Sequence, residues 1–212
     1  MLFSYPNSKH RRTENPPTFS RYQSYKPFLR REFKNRCVYC RMPDTYMDAY
    51  DTFGVDHYKP KQGDYAGLIN VYSNLYYCCK KCNDRKKGIW RRNDKQFVPN
   101  PCNHVMFDHL RYNKEKVETK SEAGKFTEEL LQLNGPGRVA SRTHMLLSLR
   151  LVEQELRKLM DIQSAARRKA KGIRGLWSRK RCLRDLNSIR HDLHTLRQSR
   201  NALHGLNSSV SR

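Results

Sequence analysis

The sequence predicts an α+β protein. A small strand–loop–strand–helix (ββα) core is clamped by cysteines and followed by a mainly α-helical, basic C-terminal hairpin. Three observations point to this. Two Cys-x-x-Cys pairs, Cys37 with Cys40 and Cys79 with Cys82, bracket the core. Between them lie two β-forming runs separated by a polar, proline-containing loop. Beyond residue 140, apolar residues recur in steps of three and four.

Residues 1–30 mix Lys9, Arg11, Arg12, Arg21 and Lys26 with Tyr22, Tyr25, Pro16, Pro17 and Pro27, without periodicity. That composition predicts a mostly extended basic arm, serving either as a solubilising tail or as a nucleic-acid contact. Residues 31–95 form the core. Phe53-Gly54-Val55-Asp56-His57 reads as a strand that Lys59-Pro60 ends, and Leu75-Tyr76-Tyr77-Cys78 as a second. Lys80 to Lys87 reads as a short helix stopped by Gly88. Residues 96–140 extend the core, with one helix expected over Phe126 to Leu133, ended by Asn134-Gly135-Pro136-Gly137. Residues 141–212 form the hairpin. Met145, Leu149, Val152, Leu156 and Leu159 make one stripe and Leu183, Leu186, Ile189, Leu193 and Leu196 the other, with Gly172 and Gly175 between. From Ser164 onward, 13 Lys or Arg face only Asp185 and Asp192, so the outer face should be basic.

A chain of 212 residues fits one domain with a helical appendage. Its hydrophobic fraction of 37% leaves a small core in need of a staple, which a structural ion supplies. The formal net charge of +23 favours a polyanionic partner, nucleic acid before an acidic membrane surface. No apolar run is long enough to span a bilayer, and Met1 to Arg12 holds no stretch of signal-peptide length. Seven cysteines, four of them in metal-ligand spacing, fit the reducing cytoplasm better than a disulfide scaffold. Cys78, Cys102 and Cys182 are then free thiols.

A Cys-x-x-Cys pair sets two thiolates on one tight turn. Two pairs supply the closed four-sulfur set of a structural Zn²⁺, with no open position for catalysis. The residues between them are of a different kind. His57 has an intrinsic pKa near neutrality and suits a general base. Asp56 offers a hard oxygen ligand for Mg²⁺ or a similar divalent ion. Neighbouring strand residues point to opposite faces, so both can act only if the strand stops there. Asn83 either supplies the second ligand of that ion or caps the helix. Asn74 either orders the loop after His57 or is a routine turn residue. Lys59, Lys61, Arg85 and Lys86 read as phosphate contacts or as solvated charge. His104 and His109 read as structural or phosphate-facing.

Cys-Val-Tyr-Cys, Val-Asp-His-Tyr-Lys-Pro-Lys, Ser-Asn-Leu-Tyr-Tyr and Cys-Lys-Lys-Cys-Asn-Asp-Arg-Lys together resemble the HNH endonuclease family, over about residues 37 to 88. The resemblance implies a ββα-metal fold with zinc knuckles, His57 as general base, Asp56 and Asn83 as ligands of a catalytic divalent ion, and Asn74 as the loop-ordering middle residue. The third motif residue is Asn83 rather than His, a variation the family tolerates. Phe97-Val98-Pro99-Asn100-Pro101-Cys102 and Leu131-Gln132-Leu133-Asn134 with Arg142 extend the likeness. They resemble a subgroup that includes the nuclease partner of an ATPase in Septu-type and some retron-linked antiphage systems. The implied activity is hydrolysis of phosphodiester bonds, in DNA before RNA. The competing reading is a zinc-ribbon nucleic-acid-binding module without catalysis, which needs none of Asp56, His57, Asn74 and Asn83. The apolar hairpin stripes pack on the core, or dock a partner protein or a second copy; the sequence leaves the oligomeric state open.

Overall fold

The computed structural model describes residues 2–46, 51–172 and 176–206. Its centre is an antiparallel pair, β1 (Phe53–His57) and β2 (Leu75–Cys79), in the register Phe53 to Cys79, Val55 to Tyr77 and His57 to Leu75. Aliphatic and aromatic side chains bury both strands: Val55, Leu75, Tyr76 and Tyr77 are all in the core. Helix α2 (Lys80–Lys86) follows β2 without a loop. It ends where Lys87 turns left-handed at φ +46°, followed by Gly88 at φ +80°. The expected ββα order is therefore present, and the fold is α+β.

The N-terminal residues are extended to about residue 20, yet they do not trail into solvent. Leu2, Phe3 and Tyr5 are buried, and the Tyr5 ring stacks on Tyr112 at 5.1 Å. Further along, the buried Glu32 carboxylate accepts from His10 Nε2 (2.8 Å), Thr13 N–H (2.9 Å) and Glu14 N–H (3.1 Å), tying the strap down. A short 3₁₀ turn, Tyr22–Tyr25, then leads into α1 (Lys26–Glu32), which packs Leu29 beneath the sheet. Aromatic side chains thus convert a segment of arm-like composition into part of the core.

Residues 97–140 hold a hairpin that the sequence reading missed, β3 (Leu110–Asn113) and β4 (Lys116–Thr119). Its alternation is legible in the buried Leu110, Tyr112 and Val117, but the turn lacks glycine: Lys114 takes φ +53°. Helix α3 is Glu122–Leu131, earlier than expected, because the Ser121 hydroxyl caps it by accepting from Gly124 N–H (3.0 Å). A Cβ at Gly124 would lie 2.0 Å from the His109 carbonyl oxygen, so only glycine fits.

The C-terminal hairpin is α4 (Pro136–Gly172) with α5 (Leu176–Leu203). Helix α4 starts ahead of residue 141, since proline is pre-set for a first helical turn. Gly172 closes α4, and Gly175 lies outside the described residues. Arg142 anchors the root of α4, donating to Glu115 O (2.5 Å) and Leu133 O (2.8 Å). The end of α5 returns to the first cysteine turn, where Asn35 Nδ2 donates to Gly205 O (3.0 Å) and Arg36 Nη2 to His204 O (2.7 Å). Met145, Leu149, Leu156 and Leu193 are buried, whereas Leu183, expected in the stripe, is 51% exposed. No described helix is long and apolar enough to cross a membrane.

Candidate functional site

The first cysteine pair sits on a tight turn closed by Arg41 N–H donating to Cys37 O (3.0 Å), with Arg41 left-handed at φ +54°. Val38 N–H donates to Tyr77 O (2.9 Å) and holds this turn to β2. Cys79 ends β2 as the residue before α2, and Cys82 lies in the first helical turn. Sequence distance therefore becomes spatial convergence: the sulfurs of Cys37, Cys40, Cys79 and Cys82 all lie within 4.8 Å of one another. Cys40 Sγ and Cys79 Sγ are 3.7 Å apart. A tetrahedron with metal–sulfur bonds of about 2.3 Å has edges of about 3.8 Å, so the set fits a thiophilic ion. Cys78, buried with its sulfur 4.0 Å from that of Cys37, stays outside the four. From α4, Arg138 Nη2 donates to Cys82 Sγ (3.4 Å), placing a cation against a group of thiolates.

On the other side of β1, a cavity of about 280 Å³ is bordered by Asp56, His57, Lys61, Asn83 and Lys87. Asp56 and His57 are the last two residues of β1, paired with Tyr76 and Leu75, and both border this cavity. Asn83 and Lys87, four residues apart on α2 and its cap, line the same wall. The Asp56 carboxylate accepts from Tyr39 Oη (2.5 Å) and lies 3.4 Å from Lys86 Nζ.

The imidazole is held on two sides. His57 Nε2 is 2.9 Å from Ile69 O. A carbonyl only accepts, so Nε2 carries the proton and Nδ1 keeps its lone pair. The Tyr22 ring meets His57 edge-on, centroids 4.6 Å apart, and the Tyr22 hydroxyl accepts from Lys61 Nζ (2.8 Å). Behind the cavity, Asn74 Oδ1 accepts from Lys59 N–H (2.9 Å) and Asn74 Nδ2 donates to Lys59 O (3.2 Å) and Leu68 O (3.4 Å). Asn74 thus staples both ends of the loop that leaves His57 and returns to β2.

Burial pulls the His57 pKa below its ordinary value, and Lys61 and Lys86 push the same way against the Ile69 hydrogen bond. Burial raises that of Asp56, opposed by Lys86 and Tyr39. The short Tyr39 contact has the length of a hydrogen bond to an ionised carboxylate.

One expected phosphate contact, Lys86, is corrected. Lys86 is fully buried, donating to His57 O (2.7 Å) and Tyr58 O (3.0 Å), because the turn of α2 that carries it faces β1. Arg85 faces α3 instead and donates to the end-of-helix carbonyls of Leu131 (2.9 Å) and Gln132 (3.3 Å). Lys59 lies over the Tyr65 ring at 4.8 Å, outside the cavity, while Lys61 borders it. His104 and His109 pack with Phe97 away from the cavity, His109 Nδ1 pairing with the Ser121 hydroxyl (2.7 Å). The sequence reading missed Tyr22, Tyr39 and Lys87. Lys87 was findable four residues after Asn83, but nothing local links Tyr22 or Tyr39 to the site.

Residues 37–88 match the family model described as HNH endonuclease. This segment is an HNH domain. Its limits enclose both cysteine pairs and the Asp56–His57 end of β1, and it supports nuclease activity in general. The chain is also 30% identical over 132 residues to the Septu protein PtuB of Bacillus thuringiensis, covering 60% of this chain and 47% of that protein. The chain thus spans about half the length of this curated relative. No solved structure matches it.

Proposed function

We propose that the chain is a metal-dependent endonuclease that hydrolyses phosphodiester bonds, with DNA favoured over RNA. The observation that supports this best is the state of His57. Its Nε2 proton is held by Ile69 O while Nδ1 keeps its lone pair, and His57 borders a cavity that Asp56 and Asn83 also border. Within the HNH segment, His57 takes the proton of the attacking water at Nδ1. Asp56 and Asn83 offer one carboxylate and one amide oxygen, a hard donor set suited to Mg²⁺ or a similar ion. Such an ion, when bound, stabilises charge on the phosphate and the leaving oxygen. Asn74 and Tyr22 hold the base in place, and Lys61 and Lys87 attract the phosphates. Cys37, Cys40, Cys79 and Cys82 hold Zn²⁺ as a structural clamp. The likeness to the Septu protein PtuB agrees with the motif resemblance to the Septu-type subgroup, from which we infer a role in antiphage defence beside an ATPase partner.

The deciding experiment incubates the purified chain with plasmid and with RNA, in Mg²⁺ or Mn²⁺ and in EDTA. Metal-dependent cleavage that His57→Ala abolishes, with zinc content and circular dichroism unchanged, supports the reading. Intact substrates under every condition, together with tight binding, would leave a binding module.

A further inference from the structure

We propose that a second cleft, beside the catalytic cavity, takes an unpaired nucleobase, so that the substrate is single-stranded or locally unpaired at the scissile phosphate. The inference rests on the nuclease reading for the neighbouring cavity and deepens it. The cleft encloses about 370 Å³ and is bordered by Tyr58, Lys59, Trp90, Arg91, Asn103 and His104.

A nucleobase has two apolar faces, a polar edge and an anionic tether, and the cleft offers a match for each. Trp90 is the face. Its indole packs on Tyr58 at 5.6 Å and edge-on against Tyr65 at 5.9 Å, so it is fixed before any ligand arrives. Lys59 Nζ lies over the Trp90 ring, 5.6 Å from its centre, and Arg91, 6.0 Å from it, is paired with Asp94 of the same cleft, so Lys59 is the cation left to meet a phosphate there. The exposed Asn103 amide supplies a donor and an acceptor for a base edge.

Position links the cleft to catalysis. Two of the chain segments that wall it, around Tyr58 and Trp90, continue into the wall of the cavity, while Asp94, Phe97, Asn103 and His104 close its far side. Tyr58 and Lys59 face the cleft while His57, Pro60 and Lys61 face the cavity, and Gly88 of the cavity lies two residues from Trp90. Pro60 and Gly88 border the cavity and pack together, an added Cβ at Gly88 lying 3.4 Å from Pro60 Cβ. A phosphate at Lys61 and Lys87 and a base on Trp90 are therefore held by stretches of chain only a few residues apart. In a duplex both faces of every base are already stacked, so occupancy of the cleft requires an unstacked nucleotide.

The test uses the full chain carrying His57→Ala, to prevent cleavage, and Trp177→Phe, which leaves Trp90 as its one tryptophan. Its fluorescence is titrated with a single-stranded deoxyoligonucleotide, the matching ribo-oligonucleotide, an abasic strand of equal length and a blunt duplex. The expected result is quenching by at least one base-bearing single strand and none by the abasic strand or the duplex. Which sugar quenches more assigns DNA or RNA. Adding Trp90→Ala to the His57→Ala chain should weaken single-strand binding about tenfold without changing its dependence on salt, since stacking is lost and no charge is removed. Equal quenching by the abasic strand or duplex, or unchanged binding by a folded Trp90→Ala chain, would overturn the proposal. Quenching as expected, with no cleavage by the wild-type chain, would keep the cleft and remove the nuclease reading. Cleavage with no quenching would do the reverse.

Discussion

The Tyr22 ring stands edge-on to the His57 imidazole, centroids 4.6 Å apart, while its hydroxyl accepts from Lys61 Nζ at 2.8 Å. A residue of the N-terminal strap therefore touches both the proposed base and a proposed phosphate ligand. Tyr22→Phe keeps the ring and its contact with Lys61 but removes the hydroxyl that fixes the ammonium, so it should chiefly raise KM. Tyr22→Ala removes the ring that orients His57 and should lower kcat by about ten- to a hundredfold, the range set by loss of alignment. Steady-state cleavage of a fluorescent oligonucleotide separates the two. Equal effects of both variants on kcat would show that the ring does not orient the base.

The acid limb of the rate profile should report His57. The neutral imidazole is the active form, and burial lowers its pKa. Activity should then rise with pH through a midpoint below the ordinary histidine value of about 6.5 and level off above it. Tyr22→Ala, by admitting water, should move the midpoint back upward. The measurement is kcat/KM between about pH 4.5 and 8 at saturating divalent ion, limits chosen to bracket that value.

Removal of the sulfur-bound ion should unfold the HNH domain, because its binding energy is folding energy, about 10 kcal/mol or more for structural zinc. Cys40→Ser and Cys82→Ser should lose bound zinc and the cooperative thermal transition. Cys78→Ser should keep one zinc per chain, since Cys78 lies outside the converging four. Metal analysis by mass spectrometry decides it, and zinc loss in Cys78→Ser would redraw the ligand set.

Lys86→Met should act on stability and not on salt-dependent binding. Its ammonium satisfies two backbone carbonyls and neighbours Asp56 with no exposure. Leaving that carboxylate without its cation costs about 3–5 kcal/mol, seen as a lower urea midpoint. A variant of unchanged stability and weaker binding at low salt would restore Lys86 to the phosphate contacts.

Patterns short in sequence were legible and those closed across the chain were not. The Cys-x-x-Cys spacing marked the four sulfurs that converge, and β-forming runs marked β1 and β2, because turn geometry and strand propensity act over a few residues. Charge by itself misled in the last turn of α2. Arg85 and Lys86 look alike in a basic stretch, and only the face each presents separates a cation capping α3 from a buried ammonium. The β3–β4 hairpin escaped because a lysine took the left-handed turn position that glycine or asparagine usually marks.

By itself, then, the sequence determined the four-cysteine cluster, the ββα order and the Asp56–His57 pair, all properties of local spacing. Tertiary structure alone decided that Tyr22 reaches His57 from a distant part of the chain, that Tyr39 binds Asp56, and that Trp90 borders the neighbouring cleft. Burial of the N-terminal strap's aromatic residues made the first of these, and burial is a property of the whole packed chain, which no short window of residues contains.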